Sequence, residues 1–286
     1  MTHHARLNII MLVTIVGLLV FVYFKPQTEN VREYTIAAQS ARAIHTVRIV
    51  RQQREIVLHQ QDNHWYLTEP VHIRANEKKI KDILKILTAN SNYRFPLKDL
   101  ARYSLDPPHI QLHFDNEYIG LGGYAPITNQ QYVLTNGYVY LISPHYALAV
   151  PVNAGNLINS QVLAHDEIPV KLELNHLIVE SSNGNWNSID RDSKNALDAE
   201  TLRDWVHLWQ TAVASEVTLE QEQKLSDDLV EVNAMTISLQ SGQKINLKIL
   251  QNENEVVFLR AEDGIGYHFS IDVGNRLLDP YISKLQ

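Results

Sequence analysis

The chain has 286 residues, 45% hydrophobic and 20% charged, with a formal net charge of -7. That is ordinary globular composition, enough for one large domain or two modest ones, and its Lys and Arg gather on no single segment, which argues against a nucleic-acid partner. There is no cysteine, so disulfides, thiolate catalysis and Cys-ligated metals are excluded.

The N-terminus carries the first element. "LNIIMLVTIVGLLVFVYF", Leu7 to Phe24, is apolar or aromatic except for Asn8, Thr14 and Gly17. At the helical rise its length is roughly 27 Å, close to the hydrocarbon thickness of a bilayer. A cleaved signal peptide needs a small-x-small site after its core, and "VYFKPQTEN" offers bulky residues there. The sequence therefore predicts an uncleaved signal anchor, a single transmembrane helix over 7–24. Residues 1–6, with Arg6, form the expected cytoplasmic tail. The rest of the chain is expected to be exported: bacterial inner membrane, single-pass, bulk in the periplasm. "KPQTENVREYTIAAQSAR", Lys25 to Arg42, is polar and reads as part of a tether over 25–44.

Two similar stretches follow, expected as a first α+β module over 45–165 and a second over 166–286. "IHTVRIVRQQREIVLHQQDNHWYL" and "IPVKLELNHLIVESSNGNWNSI" both alternate apolar and polar residues, the period of strands with one buried face. A shift of 121 places Val47 on Ile168, Ile49 on Val170, Ile56 on Leu177, Leu58 on Val179 and Trp65 on Trp186. A shift of 122 then aligns two helices. Asn76 and Asp198 are N-cap residues. Ile80, Ile83, Leu84 and Leu87 match Leu202, Trp205, Val206 and Trp209, one apolar stripe each. Further alternating runs follow in each half: "HIQLHF", "YIGL", "QYVL" and "YVYLI", then "MTISLQ", "INLKIL", "VVFL" and "YHFSI". Closing helices are expected near Tyr146 to Leu163 and Val273 to Leu285, and another over the acidic Thr218 to Leu229. The fold class is α+β: two similar modules in tandem, with mostly antiparallel sheets because the strand links are short.

The segment "HWYLTEP" ahead of a capped helix, followed by "YSLDPP", resembles the family known as domain of unknown function 4340. That family carries a Trp-x-Leu-x-x-Pro segment and a Tyr-Gly-Leu-Asp-x-Pro turn. Trp65, Leu67 and Pro70 match the first; Tyr103, Leu105, Asp106 and Pro108 match the second, with Ser104 where Gly is usual. The resemblance covers most of 45–286 and is strongest in the first half. It implies a membrane-anchored protein, with some relatives resembling partners of ABC-type export systems. It brings no catalytic residues.

Several motifs in the sequence have the residue types of known chemistries. His109 and His113 in "HIQLHF" lie four apart on an expected strand, roughly 13 Å, too far to share an ion. "GLGGYA", Gly120 to Ala125, fits G-x-G-x-x-A, but a strand follows where a dinucleotide site needs a helix. "SGQK", Ser241 to Lys244, reads as a hairpin turn and not as a nucleophile motif. "DRDSKNALDAET", from Asp190, has Lys194, Asn195 and Thr201 where a calcium loop needs a ligand, a glycine and a glutamate. The four tryptophans are expected in the core and not in a binding groove. No catalytic, cofactor or metal residue stands out. The expected role is a non-catalytic interaction or accessory component of an envelope or ABC-type transport complex. Two alternatives are an envelope hydrolase and a small-ligand or glycan binder at the junction of the halves.

Overall fold

The computed structural model describes residues 3–24, 32–38, 40–52, 54–190 and 197–283, with the side chains of the first helix described from residue 10. Helix α1 (His3–Phe24) has its side chains exposed from Ile10 to Phe24. Over the described residues no helix is long and apolar enough to cross a membrane.

Next come β1 (Tyr34–Thr35), β2 (Thr46–Arg51), β3 (Arg54–Gln61), β4 (His64–Glu69), β5 (Ile73–Arg74), α2 (Glu77–Leu84), β6 (Asn90–Ser91) and β7 (Arg94–Pro96). The meander β8 (Ile110–Phe114), β9 (Glu117–Tyr124), β10 (Gln131–Thr135) and β11 (Tyr138–Ile142) then leads to the short α3 (His145–Leu148). The second half holds β12 (Pro169–Leu174), β13 (Leu177–Ser182), β14 (Asn185–Asp190), α4 (Ala199–Thr211) and β15 (Glu216–Leu219). It continues with β16 (Val230–Leu239), β17 (Lys244–Gln251), β18 (Glu255–Arg260), β19 (Ile265–Ser270), α5 (Ile271–Leu278) and α6 (Pro280–Ser283).

The protein is α+β and its sheets are antiparallel. One sheet runs β5-β4-β3-β2-β8-β9-β10-β11-β7, the other β14-β13-β12-β16-β17-β18-β19-β15. Apart from the added β5, the two orders are the same. In each, a helix follows the opening strands, and a strand between that helix and the meander, β7 or β15, lies at the far edge beside the last meander strand. Tight two-residue turns set the hairpins: Asn136-Gly137 and Asn183-Gly184 each have both φ angles positive, the geometry whose twist matches paired strands.

The helices form for the reasons read in the sequence. Asn76 Oδ1 accepts from Lys79 N and Asp198 Oδ1 from Thr201 N, satisfying N-terminal amides. Ile80, Ile83 and Leu84 are buried on α2, and Leu202, Trp205, Val206 and Trp209 on α4. The Trp205 and Trp209 indole N–H groups donate to Arg276 and Leu277 carbonyls, docking α5 on α4.

Several expectations need correction. Leu172 and Leu174, not Ile168 and Val170, are buried on β12; Ile168 is 46% exposed. Val47 pairs with Leu58, and Leu172 with Val179. Leu172 lies 125 positions after Val47, whereas Val179 lies 121 after Leu58. The β2–β3 hairpin is thus two residues longer on each arm than β12–β13, and counting across the tip slips by four. The closing helix of the first half reduces to α3 plus a short 3-10 turn over Ala154–Leu157, because Pro151 and Asn153 interrupt it. The acidic stretch is β15 followed by turns: Val217 and Leu219 are buried, and Ser226, Asp227 and Asp228 favour turns over helix. Within the segment read as a tether, β1 pairs with β6, and Ile36 and Ile44 are wholly buried.

One hydrophobic core joins both halves, from Ile36 to Leu277. The link between them, residues 154–163, lies along this seam. Asn76 N donates to Leu157 O and Asn159 N to Arg74 O on one side, while Ala214 N donates to Ser160 O on the other. Isolated bridges Ala75–Ile158 and Gln161–Val213 repeat the pattern. The link is therefore hydrogen-bonded to both halves, which answers the backbone accounting that a buried connection demands.

Candidate functional sites: a seam cleft and a cavity at Arg51

The seam opens into a cleft of about 390 Å³. Its charges come from both halves and pair with one another. Arg74, at the end of β5, donates to Asp166 Oδ1 at 2.8 Å and to His64 Nδ1 at 2.7 Å. Arg260, at the end of β18, faces Asp263 at 3.3 Å and Glu167 at 3.8 Å. Tyr66 lies between the Arg74 guanidinium, 5.9 Å from its centroid, and the parallel His72 ring at 5.6 Å. At the cleft floor Tyr267 is buried, and burial pushes its hydroxyl pKa up to about 12 against the weaker opposing pull of Arg260. Below the cleft, Glu222 accepts from the amides of Ala154 and Gly155, tying the link to the turn after β15.

A second cavity, about 490 Å³, lies at the β2 end of the first sheet. Arg51, Gln52, His109, Tyr124 and Gln131 supply its polar side chains; Ile110 and Leu121 supply buried apolar wall. Arg51 Nη2 reaches Val150 O at 3.4 Å, while its buried Nε has no partner among the described residues. Burial lowers the Arg51 pKa below the ordinary arginine value. Gln131, 4% exposed, donates its amide N–H to Gly122 O, and its Oε1 has no donor among the described residues.

Histidine 268 bridges a threonine and a glutamate: Thr218 Oγ1 lies 2.9 Å from Nε2, and Glu255 Oε2 lies 2.9 Å from Nδ1. The order hydroxyl–imidazole–carboxylate is that of an activated nucleophile. Thr218 is only 4% exposed, however, and a Cβ on Gly266 would sit 2.9 Å from its hydroxyl. A reacting carbonyl has no access there, so the relay joins β15, β18 and β19 on their outer face.

The structure places most of the sequence motifs. His113 lies on β8 beside Tyr118, its pKa lowered first by burial and then by Arg48. His109 precedes β8 and lines the Arg51 cavity. No group of three or more metal-ligating side chains occurs among the described residues. The glycine run lies in β9, where a Cβ on Gly120 would meet Pro108 Cγ at 2.8 Å and one on Gly122 would meet the Tyr103 carbonyl. Those glycines let the Tyr103–Pro108 turn lie against the strand. Ser241 and Gly242 form the β16–β17 turn, with Gly242 at φ +86°. Most of the suspected calcium loop, 191–196, lies outside the described residues; Asp198 caps α4. Trp65, Trp205 and Trp209 are buried, and Trp186 packs half-buried on the core.

Sequence reading missed Arg51 and Gln131. A signal existed for one of them: in "QYVLT" the buried face of β10 is Gln131, Val133 and Thr135, so an amide sits at a core-facing position of a period-two strand. Arg51 gave none, because its lack of a carboxylate depends on the tertiary surroundings.

Topology and sites together define an α+β protein with two large sheets, a self-paired seam and a cavity whose lining holds polar atoms without a partner among the described residues. The chain belongs to the family described as Domain of unknown function (DUF4340), whose model matches residues 65–241. No curated protein and no solved structure matches it.

Proposed function

We propose that this chain is a non-catalytic protein of the bacterial envelope, moored in the inner membrane by α1, with its two-sheet body in the periplasm. There it would serve as an interaction or accessory component, with a protein complex such as an ABC-type transport system as partner. The observation that carries this reading is α1. Of its 15 side chains from Ile10 to Phe24, 13 are large, apolar and exposed. A helix without a polar face needs an apolar surrounding, and lipid supplies one on every side. The described side chains alone are short of a full span; Leu7, Asn8 and Ile9 in the sequence extend the run to 18 residues. The basic tail with Arg6 favours a cytoplasmic N-terminus. The paired charges of the seam favour a rigid body over a catalytic cleft.

Cell fractionation with an alkaline carbonate wash tests the mooring. The full chain is expected to stay in the membrane pellet and a chain beginning at Arg32 to be released. Full-length protein recovered in the wash would overturn the reading. Crosslinking from intact membranes then identifies the partner.

A further inference from the structure

Going beyond the mooring and partner reading, we propose that the Arg51 cavity is a binding site for an N-acylated amino acid group. Such a group is a terminal carboxylate next to an amide N–H and an apolar side chain, as found in a free N-acyl amino acid or at the C-terminal end of a peptide.

Each part of the ligand answers a feature of the cavity. Arg51 brings a fixed positive charge, and no ion pair balances it among the described residues. No acidic side chain is among the residues lining the cavity, although the chain as a whole carries a net charge of -7. A guanidinium half removed from water is costly unless an anion and hydrogen-bond acceptors meet it. A carboxylate supplies both, in the bidentate geometry arginine favours. Gln131 Oε1 is a buried acceptor without a donor among the described residues; one amide N–H satisfies it, and a simple fatty acid has none to offer. The apolar wall of Ile110 and Leu121 accepts the side chain. Leu148, 79% exposed, and Val152, 57% exposed, stand at the rim with Tyr124, where an acyl or peptide extension would run.

The fold adds an independent point. Arg51 lies on the part of the β2–β3 hairpin by which the first half exceeds the second. Arg51 Nε and Gln131 Oε1, buried polar atoms without a partner among the described residues, both belong to side chains that line this one cavity. Buried orphans are rare in native proteins, so their coincidence in a cavity points to a ligand.

The experiment is calorimetric titration of the full-length protein in detergent with N-acetyl-L-leucine, with a five-residue peptide ending in a free leucine, and with the C-terminal amide of each. Both acids are expected to bind, each amide about tenfold or more weaker, since loss of one charged contact costs about that factor. If only the peptide acid binds, the site is assigned to peptide ends; if N-acetyl-leucine binds as well as the peptide, to free N-acyl amino acids. Equal binding of acids and amides, or binding of neither acid, overturns the proposal. Arg51→Gln is expected to remove the acid-over-amide preference, while Arg74→Gln at the seam keeps it. The acid–amide contrast on the unaltered protein decides the question even if Arg51→Gln does not fold.

Discussion

The seam cleft and the Arg51 cavity are similar in size and each contains arginine, yet they differ in how their charges are answered. In the cleft, Arg74 meets Asp166 and His64, and Arg260 meets Asp263 and Glu167. In the cavity, among the described residues, Arg51 has one long contact to a carbonyl and a glutamine oxygen has no donor. A satisfied polar network fixes geometry; an unsatisfied one waits on a partner from outside. The cleft is thus read as the lock between two sheets and the cavity as the binding site.

The largest expected effect concerns the lock. Tyr267 has its folded pKa raised to about 12 from an ordinary value of 10. The neutral hydroxyl is favoured in the folded state, so its contribution is complete below pH 10 and is lost as pH rises toward 12. The loss should reach roughly 2–3 kcal/mol across that window. Denaturation curves of Tyr267→Phe should lack this portion of the alkaline decline. An unchanged decline would remove Tyr267 from the floor of the cleft.

Next in size, Arg74→Met should destabilise by about 1–2 kcal/mol, a value held down because Asp166 is 70% exposed. Arg51→Met should act in the opposite sense, stabilising the unliganded protein by about 0.5–1 kcal/mol, because an apolar side chain replaces a half-buried charge that no carboxylate meets among the described residues. Chemical denaturation of both variants sharpens the contrast; two losses of the same sign would break it. The smallest effect is expected beside the cavity wall. Ser104 has φ +55°, the left-handed conformation, at the position where the family resemblance has glycine. Ser104→Gly should stabilise by up to about 1 kcal/mol in a melting experiment.

Much of the fold was legible because burial leaves a periodic trace. The alternation in "HIQLHF" became β8 with Ile110, Leu112 and Phe114 buried, and the stripe from Leu202 to Trp209 became the inner face of α4. What was lost depended on geometry between elements. A tight turn can close a hairpin at either of two lengths, so the register of β12 could not be counted from β13 across the tip. The end of β15 and the turns after it, Thr218 to Leu229, resembled a helix because the pairing of β15 with β19 is set about 50 residues away. The sites were the least legible. Arg74 and Asp166 are 92 residues apart, and Gln131 reads as strand without showing that its oxygen lacks a donor. Sequence shows which side chains are polar; only packing shows which are answered.

The contrast between the two sites is tested most directly by NMR of the arginine Nε–H groups in full-length protein, recorded while N-acetyl-L-leucine is added. The account predicts that the Arg51 resonance moves in proportion to occupancy while those of Arg74 and Arg260 stay in place. Movement of the seam resonances with Arg51 unmoved would place the ligand in the wrong cavity and contradict the account.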